Sequence, residues 1–387
     1  MIKVMHIAQA SVGGVERYLY SLLKSMDSSK YENVLVLASA NGSEKFIDVS
    51  TAIEFVGADR NISLLSDLKA TRELRRLIKK HNPDVLYLHS SKAGALGRLA
   101  NLGHKNVSVY NAHGWSFNIK CGAFKRNIYA LIERILGHFC THIIAISKFE
   151  KESALKRHVG NATKMSVIYN GVDLDEGTKE TDDDENVLIG ELERICEDQF
   201  IVGCVARLAE QKAPDVFLRA AQAIKQQIPN AFFMLVGDGE LKADCEAMAK
   251  DLGLQNSLMI TGWVPNPRAY IQRFDVALLL SRWEGFGLAI AEYMREEKPV
   301  VATNTDAIPD LILDQWNGIL VNIDDHQAAA EAVVTLHNDR ELSKRLAANG
   351  VDTVKRRFNV QRVADEHDAL FEALLSARRE NRHSKHA

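Results

Sequence analysis

The strongest constraint on the fold is an alternation: short runs rich in Val and Ile, separated by longer stretches whose apolar residues recur at helical spacing. Lys3–Ala8, Asn33–Ala38, Ala52–Val56, Asp84–His89, Val107–Asn111, His142–Ser147 and Met165–Asn170 read as strands, with amphipathic segments near 15–26, 63–81, 92–103, 122–139 and 148–158 between them. A parallel pair of strands needs a helix-length crossover, so this pattern predicts a mostly parallel sheet with helices on both faces. Past the acidic stretch Glu176–Asp198 it restarts, with strands at Phe200–Ala206, Ala231–Gly237, Ser257–Gly262, Asp275–Leu280, Pro299–Thr303 and Gly318–Val321, and helices near 214–228, 239–253, 288–297 and 325–348. The expected class is α/β, with two Rossmann-like doubly wound parallel-sheet domains facing across a cleft. Residues 1–175 and 176–365 form the domains, and 366–387 a final helix and polar tail.

Length and composition agree with two cores: the chain has 387 residues, 46% hydrophobic and 26% charged. Its five cysteines (Cys121, Cys140, Cys196, Cys204, Cys245) are scattered and form no CxxC or Cys/His cluster, which argues against a disulfide framework or zinc site and for a reducing cytoplasm. No apolar run approaches the roughly 20 residues that span a bilayer, and MIKVMHIAQASVGG does not read as a signal peptide. The formal charge is uneven, +9 over residues 1–175 against −12 over 176–387. The first half therefore either faces something anionic (a membrane surface, nucleic acid or a phosphorylated substrate) or is a solvated basic surface.

In open parallel sheets ligands collect at the carboxyl ends of strands, which directs attention to the strand-end loops. Gly13 and Gly14 follow the first strand and precede a helix, so their backbone either approaches a phosphate or makes a tight turn. There is no GxGxxG, and Glu16 places an anion in the first helical turn, which disfavours a nicotinamide dinucleotide. In RLAEQK, Arg207 and Lys212 follow a strand and suit a diphosphate, a solvated basic loop being the other reading. In SRWEGFGLAIAEYMREEKPVVAT, Glu284 lies in the loop after a strand and Glu292 on the helix that follows. A helix opening at Gly287 or Leu288 offers N–H groups to a phosphate, with Glu292 roughly 6–8 Å along the axis, where its carboxylate suits a ribose diol. Alternatively Glu284 caps the helix and Glu292 is solvated.

EGFGLAIAE, with RLAEQK, VGDGE, GWVP and YNGVD, resembles the E-x7-E pattern and accompanying motifs of family 4 glycosyltransferases of the GT-B fold. GGVERYL, HSSKAGALGRLAN and NAHGWSF resemble the members that build bacterial capsular, exo- and lipopolysaccharides, and the likeness spans roughly residues 3–365. It implies a retaining hexosyltransferase using a nucleoside-diphosphate sugar, UDP- or dTDP-linked, and a polyprenyl-diphosphate-linked glycan acceptor, with no nucleic acid partner, no cofactor and no metal. His113, Glu284, Arg207 and Lys212 would be catalytic. Arg207 and Lys212 would hold the diphosphate, Glu292 the ribose, and Glu284 with the backbone of Phe286, Gly287 and Leu288 the sugar and phosphates. The turn Gly262-Trp263-Val264 would hold the base, unless Trp263 is core, and Gly13-Gly14 would close over the diphosphate. His113 would reach the donor sugar, although a lone loop histidine is ordinarily a structural hydrogen-bonder.

Ser90, Ser91 and Lys92 are the expected acceptor contacts. Lys120, Lys125, Arg126 and Arg134 interleave with Phe124, Ile128, Tyr129, Leu131 and Ile135, which fits either a peripheral contact with the inner membrane face or a surface helix with an apolar inner side. Two DxD-like strings, Asp173-Leu174-Asp175 and Asp182-Asp183-Asp184, are not expected to bind catalytic metal. One departure stands out: where the family has Lys-Gly, this chain has Lys212-Ala213. A sugar-nucleotide 2-epimerase and a catalytically silent scaffold are the rival functions for such a fold.

Overall fold

The structure is a computed structural model and describes residues 1–9, 14–57, 63–174 and 198–383, without the side chains of 381–383. The chain divides into two units, Met1–Gly171 with Val360–Ala387, and Val172–Asn359.

The first unit runs β1 (Ile2–Ala8), α1 (Gly14–Ser25), β2 (Tyr31–Leu37), β3 (Ala52–Phe55), α2 (Leu64–His81), β4 (Val85–His89), α3 (Ser91–Ala100), β5 (Val107–Asn111), α4 (Ala123–Leu136), β6 (His142–Ala145), α5 (Lys148–Lys156) and β7 (Met165–Val167). All seven strands are parallel, in the order β3-β2-β1-β4-β5-β6-β7. The order reverses between β1 and β4, and such a switch point leaves a crevice at the strands' carboxyl ends. Buried Met5, Val36, Leu86 and Ile143 pack on one face, and Val4, Leu35, Val109 and Ile144 on the other.

The second unit runs β8 (Phe200–Val205), α6 (Pro214–Gln227), β9 (Ala231–Val236), α7 (Lys242–Asp251), β10 (Leu258–Gly262), α8 (Arg268–Gln272), β11 (Val276–Leu279), α9 (Leu288–Arg295), β12 (Val300–Thr303), α10 (Ile308–Leu311), β13 (Ile319–Val321), α11 (His326–Asn338) and α12 (Arg340–Arg357). Its six strands, also parallel, lie in the order β10-β9-β8-β11-β12-β13, with the switch between β8 and β11.

Several boundaries differ from the sequence reading for local reasons. Ser147 ends the sixth strand early because its side chain caps α5, accepting from Glu150 N–H. The single helix expected over 325–348 is two, since Asp339 caps α12 by accepting from Leu342 N–H. The units meet in sequence at Gly171 and Val172, ahead of residue 175. The C-terminal helix is longer than expected: α13 runs Val360–His383, and it belongs to the first unit. Val363, Ala364, Phe371 and Leu375 enter that unit's core beside α1, and Lys30 pairs with Glu372 at 2.7 Å. Asp175 and Asp182–Asp184 lie outside the described residues, as does Cys196.

Candidate active site

In the second unit the motif residues gather at the switch point. Arg207 and Lys212 follow β8, the segment Ser281–Glu284 follows β11, and β8 and β11 are neighbours. The two loops are held together by Arg282, whose N–H donates to the Gln211 carbonyl at 2.8 Å and whose guanidinium reaches Glu210 O at 3.1 Å and Asp215 at 2.6 Å. Gln211 Nε2 donates in return to Trp283 O at 3.1 Å. Beneath Arg207 lies the bare backbone of VGDGE: a Cβ on Gly237 would stand 2.0 Å from the Ala206 carbonyl oxygen, so no side chain fits there. The Tyr293 hydroxyl of α9 accepts the Val205 N–H at 2.7 Å, finishing the end of β8.

The Arg207 side chain is exposed and makes no ion pair among the described residues. Lys212 is ion-paired with Glu284. Ala213, which caps α6, has φ 48 and ψ 54, the left-handed conformation that glycine adopts without strain, so the position has the backbone a glycine suits and carries a Cβ instead.

Glu292 is 7% exposed and so is not the solvated carboxylate of the alternative reading, and Glu284, 9% exposed, does not cap the helix, whose N-cap is Gly287 with no side-chain hydrogen bond. Gly287, at φ 92, caps α9, which opens at Leu288; a Cβ there would lie 3.5 Å from Glu284 Cγ. Glu292 lies four residues past Leu288, about 6 Å along the axis. The Phe286 ring is buried against Phe358, 5.6 Å between centroids, which leaves only its backbone for a ligand. Gly262, at φ 76, turns the chain after β10 and leaves Trp263 68% exposed, so Trp263 is not core; Val264 is half-buried.

Asp306 was missed from the sequence. Asp306 Oδ2 accepts the Glu284 N–H at 2.9 Å, and burial pushes the Asp306 carboxyl up. Its signal was weak, a lone aspartate in TNTDAIPD.

In the first unit Gly14 is the exposed first residue of α1, and Gly13 lies outside the described residues. Glu16 is buried and ion-paired with Lys45, which neutralises the first-turn anion. Ser90, at φ 69, joins β4 to α3; Ser91 Oγ meets Ser116 Oγ at 2.8 Å; and Lys92 pairs with Asp67 at 2.8 Å. His113 also has positive φ, 54, and is held by its N–H donating to Asn111 Oδ1 at 2.9 Å. Its ring is stacked on His89 and edge-on to Tyr18. Burial holds its pKa down to about 3, so the imidazole is neutral. The sequence reading missed His6, Tyr18, His89 and His367, all buried around it.

An arginine with no ion pair among the described residues, a lysine and a helix N-terminus stand at one switch point, groups that suit an anion, and the two buried glutamates beside them suit sugar hydroxyls. Comparison with known proteins gives the family. The family profile "Glycosyl transferases group 1" matches residues 191–353, and "Glycosyltransferase Family 4" matches residues 12–176. The chain is 30% identical over 370 residues to the Escherichia coli "UDP-Gal:alpha-D-GlcNAc-diphosphoundecaprenol alpha-1,3-galactosyltransferase", covering 92% of this chain and 94% of that one. It is 25% identical over 322 residues to the Staphylococcus aureus "Capsular polysaccharide biosynthesis glycosyltransferase CapM", covering 82% and 83%. Among solved structures, Anabaena Alr3699/HepE in complex with UDP and glucose matches with TM-score 0.82 and 21% identity over 96% of this chain and 100% of that one, which carries the fold as GT-B. With motif order, fold and full-length similarity in agreement, the chain belongs to the family 4 glycosyltransferases and is an enzyme of polysaccharide biosynthesis.

Proposed function

We propose that this enzyme is a retaining transferase that moves a hexose from a UDP- or dTDP-linked donor to a lipid-linked surface-glycan acceptor without a metal ion. The observation that carries this reading is the cluster at the second unit's switch point, where Arg207, Lys212 and the α9 N-terminus face one strand-end crevice beside Glu284 and Glu292. Arg207, Lys212 and the helix N-terminus neutralise the diphosphate as it leaves. Glu292 takes the ribose diol, and the Gly262-Trp263-Val264 turn takes the base, with the exposed Trp263 ring available to stack. The bond from C1 of the sugar to the diphosphate oxygen breaks, and the acceptor oxygen bonds to C1 on the same face. The acceptor's hydroxyl proton passes to the departing diphosphate, so Glu284 and His113 orient the sugar and no protein nucleophile is needed. Ser90, Ser91 and Lys92 meet the acceptor. The E. coli relative's name, with UDP-Gal as donor and a diphosphoundecaprenol-linked acceptor, supports both substrate classes.

The reading includes a peripheral membrane contact, which α4 supports. Its inner side is Ala130, Glu133 and Leu136, with Glu133 accepting from buried Arg98 at 2.9 Å and from the Tyr110 hydroxyl at 2.7 Å. Its outer side leaves Phe124 81%, Leu131 56% and Ile135 51% exposed among Lys125, Arg126 and Arg134. An apolar stripe flanked by cations suits an anionic bilayer carrying the acceptor. No helix among the described residues is long and apolar enough to cross a membrane.

The direct test is to offer UDP-, dTDP-, GDP- and ADP-hexoses with GlcNAc-diphosphoundecaprenol, with and without EDTA, and to read the product's anomeric configuration by NMR. An α-linked product from an α-linked UDP or dTDP donor, formed equally in EDTA, is expected. A β-linked product would end the retaining reading, and loss of turnover in EDTA the metal-free one.

A further inference from the structure

Four side chains form a continuous row across the first sheet, in the order of the strands that carry them. Asn33 on β2 turns its Oδ1 to His6 Nε2 at 3.2 Å; His6 Nδ1, on β1, meets His89 Nε2 at 3.3 Å; His89 Nδ1, at the end of β4, meets His113 Nε2 at 2.9 Å, just past β5. His6 and His89 are 0% exposed and Asn33 5%. A helix-covered parallel sheet ordinarily fills such positions with Val, Ile or Leu.

The row constrains its own protons. A neutral imidazole donates from one nitrogen and accepts at the other. His6 and His89 each spend both nitrogens on row neighbours, so every link runs in the same direction. With the Asn33 carbonyl as terminal acceptor, His6 donates from Nε2, His89 donates from Nε2 to His6, and His113 donates from Nε2 to His89. The Nδ1 of His113 is then left as a lone pair. An extra proton on His6 or His89 would set two N–H groups against each other. Burial keeps the row neutral, holding His6 at about 3 and His89 well below its ordinary range.

The far flank keeps the ring from turning. His367 of α13 meets Val363 O through Nδ1 at 2.7 Å, so its Nε2 is an acceptor, and the Tyr18 and Tyr87 hydroxyls stand 3.0 and 2.9 Å from it and 2.9 Å from each other, one donating to the ring and the other to its neighbour. The Tyr18 ring thus pinned stands edge-on to His113, 4.6 Å between centroids.

We infer that Asn33, His6 and His89 are positioning residues that present His113 as a neutral imidazole with Nδ1 as a bare acceptor, selecting a hydroxyl donor on the sugar over a phosphate oxygen. A phosphate oxygen needs an N–H, and this ring has already given its only one to His89. The inference rests on the reading that His113 meets the donor sugar, but the row itself is testable without substrate.

The test is the ring spectrum of the full chain labelled with 15N-histidine, in which two-bond correlations distinguish the protonated nitrogen. In the wild type His6, His89 and His113 should all carry the proton on Nε2. In His6→Phe, which severs the row while keeping a ring in place, His113 should show a mixture of tautomers, and His6→Gln, whose amide oxygen can again accept from His89, should restore Nε2–H. A wild-type His113 protonated on Nδ1, or a His113 tautomer unchanged in His6→Phe, would overturn the inference. Turnover of His113→Ala bears on the role of His113 alone: activity retained there would remove the sugar contact and leave the tautomer result standing, so the two ideas fail separately.

Discussion

Lys212 and Glu284, separated by 72 positions in sequence, form an ion pair at the switch point of the second sheet. The lysine proposed for the diphosphate is therefore held by the glutamate proposed for the sugar, whereas Arg207 is exposed and makes no ion pair among the described residues.

This asymmetry separates the two cations experimentally. Arg207→Ala and Lys212→Ala should each lower turnover on the order of 100-fold. Thermal unfolding should distinguish them: Arg207→Ala stays near wild type, while Lys212→Ala strands the nearly buried Glu284 and destabilises by about 1–3 kcal/mol. Glu284→Gln releases Lys212, and calorimetric affinity for UDP should rise by about 3–10-fold as turnover falls. Unchanged UDP affinity in that variant would show that the pair does not compete with donor.

Ala213 offers a stability test of the loop. A buried alanine replaced by glycine inside a helix, as in Ala220→Gly, should cost about 1 kcal/mol or more. Ala213→Gly removes the strain of φ 48 and should stay within about 0.5 kcal/mol of wild type or exceed it. Urea unfolding of both variants decides, and equal losses would mean that the left-handed turn is not there.

For the membrane contact, Phe124→Ser with Leu131→Ser should weaken co-sedimentation with phosphatidylglycerol vesicles by about tenfold or more, since each removes exposed apolar area. Both residues are exposed, so unfolding temperature should not move. Wild-type binding should fall as salt rises, because the flanking Lys125, Arg126 and Arg134 act over a screened range of about 8–10 Å. Binding that ignores both salt and the substitutions would remove α4 from the interface.

The buried histidines predict acid sensitivity. His6 is held at about 3 against 6.5 for an ordinary histidine, and His367 at about 4. Between those values and 6.5 the unfolded chain binds more protons than the folded one, so stability is complete above pH 6.5 and is lost as pH falls. In urea titrations His6→Asn should lose about 2 kcal/mol less than wild type between pH 7 and pH 5. A wild-type stability flat across that interval would contradict the neutral row.

The strand-end residues Arg207, Lys212, Glu284 and Glu292 were legible because a doubly wound sheet delivers its loops to one edge, and the motif spacing places each on a known side of a strand or helix. Those in the first unit were harder to read. His6 and His89 sit inside apolar runs, HIA and LYLH, where they look like core positions, and only their shared face across neighbouring strands marks them as a set. Asp306 and Tyr293 carry no motif of their own; one holds the Glu284 backbone and the other finishes β8.

The sequence by itself determined the β–α alternation, its restart after residue 198, and which residue types stand at the strand ends, because periodicity and strand-end placement are local properties of the chain. Tertiary structure alone decided the rest. It set β1 beside β4 and β8 beside β11, returned the helix Val360–His383 to the first unit, closed Lys212 onto Glu284, and aligned His6 with His89. These pairings join residues 72, 83 and, for Tyr18 with His367, 349 positions apart. Contacts at such separation depend on which surfaces bury each other, and no window of local pattern contains that information.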